Sequence, residues 1–549
     1  MKIPFLLCFF LHVFNCTSQD FTRTDSLRGS LTPLRTCYDV VFYDLNVVID
    51  DHEEFIERSY NEIYFLAEED FSSLQIDLFS NMEILLIQFE GKELNYSREY
   101  NAVFIDFPRV ILQNEFLSFK IWYSGYPRKA VNPPWDGGFS WEIDKNNNPW
   151  IGVSCQGLGA SSWWPCKDHQ SDEPDSMRIT VSCRNPLKAI ANGNLRKEYK
   201  TWNRYIQDSV NVFEWFVSYP INNYCVSINI GDYIHFSDYY MSNNDSLDLS
   251  YYVLSYNESK AKDHFQQVIP MMECFESYFG PYPFLRDGFA LIETSYLGME
   301  HQSGIAYGNN YLPGYYGNKR FISDLDFDFI IIHETGHEWW GNSITTNDIA
   351  DMWIHEGFCT YSEVLYVECL YGYDKMLEYV NNQRRNIRND KPIVAPYHVN
   401  CQGSSDMYNK GSLMLHTLRT LIQDDDLWFE ILIELNNRFR YQTLDADDII
   451  NYIISKTGKN LELFFDQYLN YSYLPEFQYR LIQEGRDVVL LYRWEAIKDF
   501  NMPVLVYNGY KDVWIYPASS WKEINLGNID KFDFHVLDDM FLIDIKRIE

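Results

Sequence analysis

From residue 37 onward, short runs of β-branched and aromatic residues alternate with polar and turn residues. Residues 38–50, 74–79, 84–89, 102–107 and 116–123 read as strands, and 178–183 and 212–230 continue in the same style. The pattern predicts a largely β region as far as residue 237. The period then changes. Residues 239–248 are polar and read as a connection or a short excursion, and helical spacing runs from 258 to 279. Residues 288–308 read as a strand, a glycine turn and a strand. Apolar residues 329–332 lead into a buried helix, and a second apolar helix spans 348–371. Further helices are expected at 408–421, 427–439, 445–456 and 461–469. Pro475 ends helical patterning. Short strands at 477–482, 488–493 and 504–507 predict a small β-sandwich over 475–549. Residues 19–36 are polar and read as a lead-in arm. No internal repeat or low-complexity tract interrupts the chain.

Composition narrows this picture. The chain has 549 residues, 46% hydrophobic and 17% aromatic, enough for several packed cores. Its formal net charge of −33 makes nucleic acid and anionic membrane surfaces poor partners. The N-terminus carries Lys2 and then an apolar run over residues 3–14, too short to span a bilayer and the size of a secretory leader. Cleavage after Ser18 would leave Cys16 and Ser18 at the small-residue positions. Cys16 is alternatively a lipidation site, but Val13-Phe14-Asn15 is a poor lead-in, so soluble export ranks above lipoprotein anchoring. The expected location is secreted, periplasmic or cell-surface, with no transmembrane span. Eleven cysteines become nine after cleavage, with no zinc-knuckle or disulfide-framework spacing. Cys155 with Cys166, or Cys166 with Cys183, are candidate pairs in an exported chain, and the spacing does not choose between them.

The candidate chemistry lies in the two apolar helices. His333, Glu334, Thr335, Gly336 and His337 form H-E-x-x-H, and Glu356 follows after eighteen intervening residues. On a helix, His333 and His337 lie one turn apart on one face and can grip a single zinc ion. Glu356 from the next helix completes three protein ligands and leaves one position for water, the arrangement of a catalytic site. Glu334 sits beside that face, placed to take a proton from the water. The alternative, an ordinary buried helix, would bury His-Glu-His and a lone Glu356 at high cost. Glu363, seven residues after Glu356, falls on the same helical face and can support a ligand. Residues 154–175, rich in turns and containing Trp163 and Trp164, read by themselves as a packing loop.

These motifs, with a Gly298-Met299-Glu300 element upstream and Tyr408-Asn409-Lys410-Gly411 downstream, resemble the aminopeptidase N family of zinc metallopeptidases, which includes leukotriene hydrolases. The resemblance covers about residues 37 to 549. It implies an α+β multidomain fold: an arm at 19–36, an N-terminal β domain at 37–237, a thermolysin-like, mostly helical catalytic domain at 238–474, and a small C-terminal β-sandwich. It implies one zinc ion on His333, His337 and Glu356, with Glu334 as general base and Tyr408 stabilising the oxyanion. Glu300, with Gly298 and Met299, would form the substrate site, Glu300 binding the free α-amino group. Gln156 would reach the same group from the first domain, so the resemblance reverses the packing-loop reading. Leu297 and His301 depart from the family's usual glycine and asparagine beside this element. The resemblance is to a form without the large helical C-terminal domain, so the cleft is expected to be open on the leaving-peptide side. The expected activity is removal of N-terminal residues from peptides. A thermolysin-type endopeptidase, an epoxide hydrolase and an inactive peptide-binding protein are the competing readings of the same scaffold.

Overall fold

The computed structural model describes residues 21–242, 245–319, 321 and 324–549. The leader expected at 1–18, with Cys16, lies outside them. An eight-stranded sheet dominates the first part of the chain. Its centre pairs Tyr38–Asp50 antiparallel with Phe55–Ala67 and parallel with Ser176–Arg184, in the register Phe42 to Ser176. The strand Phe55–Ala67 was not expected from the sequence. Glu57, Arg58 and Glu62 break its apolar run, yet Ser59, Asn61, Ile63, Phe65 and Ala67 are buried at alternating positions, and Ile56 is buried across a register shift. A three-stranded and a four-stranded sheet pack against it, the latter built from Lys188–Ala191, Ile228–Gly231, Pro149–Ser154 and Gly138–Ile143. The strand-like stretch 212–230 holds parts of two strands, Asp208–Val217 and Ile228–Gly231, separated by Pro220 and a turn at Asn223–Cys225.

Of the two readings the polar stretch 239–248 allows, a connection or a short excursion, the structure has the excursion. Its described residues belong to two paired antiparallel strands, Tyr233–Ser242 and Asp245–Leu254. One face of the second strand carries Leu247, Leu249, Tyr251 and Val253 into the core, while its polar residues face outward. This hairpin begins a five-stranded sheet completed by Phe289–Glu293, Ile305–Tyr307 and Gly298–Met299. Trp163, Trp164, Ile292, Tyr296 and Met299 share one apolar cluster, so the first β region packs directly behind the strands that carry the Gly298 element. The helical region 258–279 is broken into Glu258–His264 and Val268–Phe279 by a 3-10 turn.

The remaining helices build the second core. The helix Phe329–Gly336 is started by Asp328, whose side chain accepts the Ile330 and Ile331 amides. Ile330, Ile331 and Ile332 are buried. The Glu356 helix, Trp353–Tyr371, starts later than expected because a 3-10 turn at Ile349–Asp351 precedes it. The helix Tyr373–Gln383 follows Gly372, whose φ of +87° gives the sharp reversal. Helices Asn409–Ile422, Asp425–Arg438, Ala446–Thr457 and Glu462–Asn470 follow. A four-stranded and a three-stranded sheet then share apolar contacts with them through Phe477, Trp494, Phe500 and Phe541. Cys274 and Cys369 form a disulfide that ties Val268–Phe279 to the end of the Glu356 helix. The pairs suggested by sequence are not formed. Cys155, Cys166 and Cys183 are separate buried thiols, with Cys155 donating to the Tyr224 carbonyl and Cys183 to that of Leu187.

Candidate active site

His333 and His337 face one another across one helical turn, with ring centroids 5.0 Å apart. Their Nε2 atoms lie 3.5 and 3.4 Å from the same Glu356 oxygen, Oε2. That oxygen is buried and makes no hydrogen bond among the described residues. The outer ring nitrogens are held. His333 Nδ1 lies 2.8 Å from Glu363 Oε1, and His337 Nδ1 lies 3.0 Å from the Trp340 carbonyl. Glu363 is in turn fixed by the Tyr379 hydroxyl at 2.8 Å. Each imidazole therefore turns Nε2 inward, with its tautomer set from behind.

Two glycines make room for this. Gly341 has φ +125°, and a Cβ there would meet His337 and His355 at 3.2 and 3.3 Å. It closes the turn that returns the Trp340 carbonyl to His337. Gly298 lies against the helix, where a Cβ would stand 2.5 Å from Ile330 Cγ2 and 2.9 Å from Glu334 Oε1. The Glu334 carboxylate thus lies against the Gly298 backbone, with one oxygen within 4.8 Å of a His337 nitrogen.

Glu300 joins the site from the same strand turn. One oxygen each of Glu300 and Glu334 and one nitrogen of His337 lie within 4.8 Å of one another. Gln156 reaches in from the first β region. Its Nε2 donates to Glu300 Oε1 at 2.5 Å and to Glu356 Oε1 at 3.0 Å. The Glu300 loop is braced by Glu338, which accepts from the Ser303 amide, the Tyr282 hydroxyl and Asn342. Asn342 also donates to the Glu300 carbonyl at 3.0 Å. Burial pushes the Glu338 carboxyl up to about 7. Leu297 and Met299 line the cleft, whereas His301 does not. It is fully buried and pushed down to about 3 by desolvation, so it is a neutral ring inside the fold.

Tyr408 precedes the helix Asn409–Ile422, its ring 6.0 Å from that of His333. This helix crosses the Glu356 helix at paired glycines. A Cβ on Gly411 would meet Gly357 Cα at 3.1 Å. The glycine of Tyr-x-Lys-Gly thus sets the distance between Glu356 and Tyr408. Buried Lys410 donates to the Tyr471 and Ser472 carbonyls.

The electrostatics are those of an acidic cluster built around positive charge. Burial raises Glu334 to about 8, helped by Glu300 and Glu356 and opposed by the two histidines. Burial also raises Glu300. Burial would raise Glu356 too, but His337 and His333 beside it reverse this and hold it well below the usual carboxylate range. His337 stands at about 8, because Glu300 and Glu356 outweigh its desolvation. Two inward Nε2 atoms, an otherwise unpartnered buried carboxylate oxygen and fixed outer nitrogens fit a zinc ion.

The structure therefore brings His333, Glu334, His337, Glu356, Glu300, Met299, Gly298, Gln156 and Tyr408 to one cleft of about 750 Å³. Glu338, Tyr379, Arg385 and Arg388 were not singled out from the sequence. Glu338 directly follows the H-E-x-x-H motif, which is a signal of sorts. Tyr379 and the arginines carry none, because only the fold brings them near the site.

Residues 264–468 match the model for the peptidase family M1 domain. Endoplasmic reticulum aminopeptidase 1 of Mus musculus is 22% identical over 361 residues, covering 61% of this chain and 38% of that protein. Aminopeptidase N of Lactococcus lactis subsp. lactis is 25% identical over 222 residues, covering 38% of this chain and 26% of that protein. The chain thus matches less than two fifths of the length of these curated relatives. Among solved structures, an M1 zinc metallopeptidase from Deinococcus radiodurans has a TM-score of 0.65 at 18% identity, covering 80% of this chain and 95% of that one. Legionella pneumophila aminopeptidase A, solved with aspartic acid, has a TM-score of 0.75 at 16% identity, covering 93% of this chain and 60% of that one. At such identities these structures establish the fold.

Proposed function

We propose, from a chain that carries a peptidase family M1 domain at residues 264–468, that this protein is a zinc-dependent aminopeptidase. The observation that carries the reading is the Gln156 amide, which bonds to both Glu300 and Glu356. It sets a carboxylate suited to an ammonium directly beside the ligand set, where a substrate's N-terminal residue would lie. A buried carboxylate there does nothing for hydrolysis itself and makes sense as a counter-charge to a free N-terminus.

His333, His337 and Glu356 would hold the ion, which, when bound, acidifies water and polarises a carbonyl. Glu300 and the Gln156 carbonyl oxygen hold the substrate ammonium and fix the first peptide bond. Glu334 takes a proton from the attacking water onto its carboxylate and returns it to the amide nitrogen as the C–N bond breaks. Tyr408 donates its hydroxyl hydrogen to the carbonyl oxygen as negative charge develops there. Burial, and then the neighbouring Glu356 and Glu300, raise this hydroxyl far above its ordinary pKa, which keeps it a donor. Export belongs to the same reading, supported by the apolar run at 3–14 and by a disulfide, a bond that persists in oxidising compartments.

The test compares free and N-acetylated aminoacyl substrates with and without a chelator. Chelator-sensitive hydrolysis of the free substrates alone is expected. Efficient internal cleavage of N-acetylated peptides would assign the site to an endopeptidase.

A further inference from the structure

Within a protein of net charge −33, the cleft carries two arginines, Arg385 and Arg388, in its wall. Both are exposed, and among the described residues neither guanidinium has a carboxylate within 4.0 Å or a hydrogen-bond partner. This contrasts with Arg384 beside them, which bonds to Asn381 and to the Asp538 and Phe541 carbonyls of the C-terminal segment. The arginine loop is built rather than loose. Buried Asp406, just before Tyr408, accepts the Arg388 and Asn389 amides at 2.8 and 2.7 Å.

The position of this loop follows from the His333 helix. Glu300 stands at the His337 end. At the other end, Phe329 stacks on His333 at 5.6 Å and Tyr315 packs on Phe329 at 5.9 Å. Eight residues at helical rise separate Phe329 from His337 by about 12 Å. Phe321, which also lines the cleft, packs on Tyr379, and its carbonyl accepts from Asn382, three residues before Arg385. The ammonium anchor and the arginines therefore lie toward opposite ends of the histidine pair.

The geometry points to a second recognition site, in which Arg385 and Arg388 bind a carboxylate on the leaving part of the peptide. This rests on the aminopeptidase reading, which places the N-terminus at Glu300 and sends the rest of the chain past His333. Two planar guanidinium groups suit a carboxylate, either the C-terminus of a short peptide or an acidic side chain following the scissile bond. The substrate class is thus a peptide cationic at its N-terminus and anionic a few residues on.

The test first finds the residue X whose aminoacyl p-nitroanilide is cleaved fastest. It then measures kcat/KM for X-Gly-Gly, X-Gly-Gly-NH2 and X-Gly-Asp-NH2. The wild type should prefer one or both carboxylate-bearing peptides over X-Gly-Gly-NH2 by about tenfold, mostly through KM, the scale of one charge-assisted contact. Preference for X-Gly-Gly identifies the terminal carboxylate, and preference for X-Gly-Asp-NH2 the side chain. The ratio should approach one in Arg385→Gln/Arg388→Gln, and should shrink as ionic strength rises. Because it is a ratio within one preparation, partial misfolding does not alter it. Equal rates on all three peptides in the wild type, or a preference that persists in the double variant, would overturn the carboxylate site and leave the aminopeptidase reading intact. A wild type that cleaves no substrate with a free N-terminus overturns both.

Discussion

At the residue scale, each inner ligand is held by something behind it. His333 leans on Glu363, and Glu363 on the Tyr379 hydroxyl. Glu363→Gln keeps the size of the side chain but replaces a carboxylate by an amide. Zinc affinity should fall by roughly 10–100-fold, the usual cost of losing a support behind a metal ligand. Chelator competition reads this directly, and unchanged affinity would leave Glu363 only the task of holding Tyr379. Glu334 has no such supporting role. Glu334→Gln should keep its zinc, measured by metal analysis, and lose hydrolysis by at least ~100-fold. Near-normal turnover in that variant would move the general base elsewhere. His337→Ala should retain little zinc, and a chelator should abolish wild-type hydrolysis that added zinc restores.

At the scale of elements, the site depends on how closely two helices and a strand approach. Gly411→Ala would place a methyl group 3.1 Å from Gly357 Cα. The helices carrying Glu356 and Tyr408 should separate slightly, at a cost of about 1–3 kcal/mol of stability. The expected readout is a lowered Tm together with a fall in kcat larger than any rise in KM, since Tyr408 acts on the developing charge. A variant that melts normally and turns over normally would show that the crossing tolerates the methyl group. These glycines also show what was legible in the sequence. The His333 and Glu356 helices could be read from residues 329–371, because local spacing places ligands on faces. The close contact of Gly357 with Gly411 could not, because it joins distant segments. The hairpin at 233–254 was obscured for a different reason. Its sequence is polar over 239–248, and only the alternation of Leu247, Leu249 and Tyr251 marks a strand. Tyr379 and the arginine loop were likewise hidden by long-range packing.

At the scale of the whole molecule, the cleft is an assembly of three parts. The first β region supplies Gln156 and the wall at Pro134 and Trp135, and the strand-and-helix region supplies the cluster. The C-terminal segment acts from behind, through its bonds to Arg384 and Asn381. Among the described residues, none after Asn409 lines the cleft. Around the N-terminal end the enclosure is tight, because Gln156 closes over Glu300. On the leaving side, the lining among the described residues includes the Phe329 helix, Tyr315, Phe321 and the arginine loop. A peptide extending that way meets walls but no cover supplied by residues 410–549. In this chain, kcat/KM for peptides of fixed N-terminal sequence should therefore stay roughly level as residues are added. The series must be C-terminally amidated and free of acidic residues, so that Arg385 and Arg388 see no carboxylate at any length. A steep fall beyond a few residues in such a series, with the protein monomeric by sedimentation, would show that the leaving side is closed. Level rates in the amidated series alongside a length optimum in the free-acid series would separate the two features. The open wall would then set tolerance of length, and the arginines would set which length binds best.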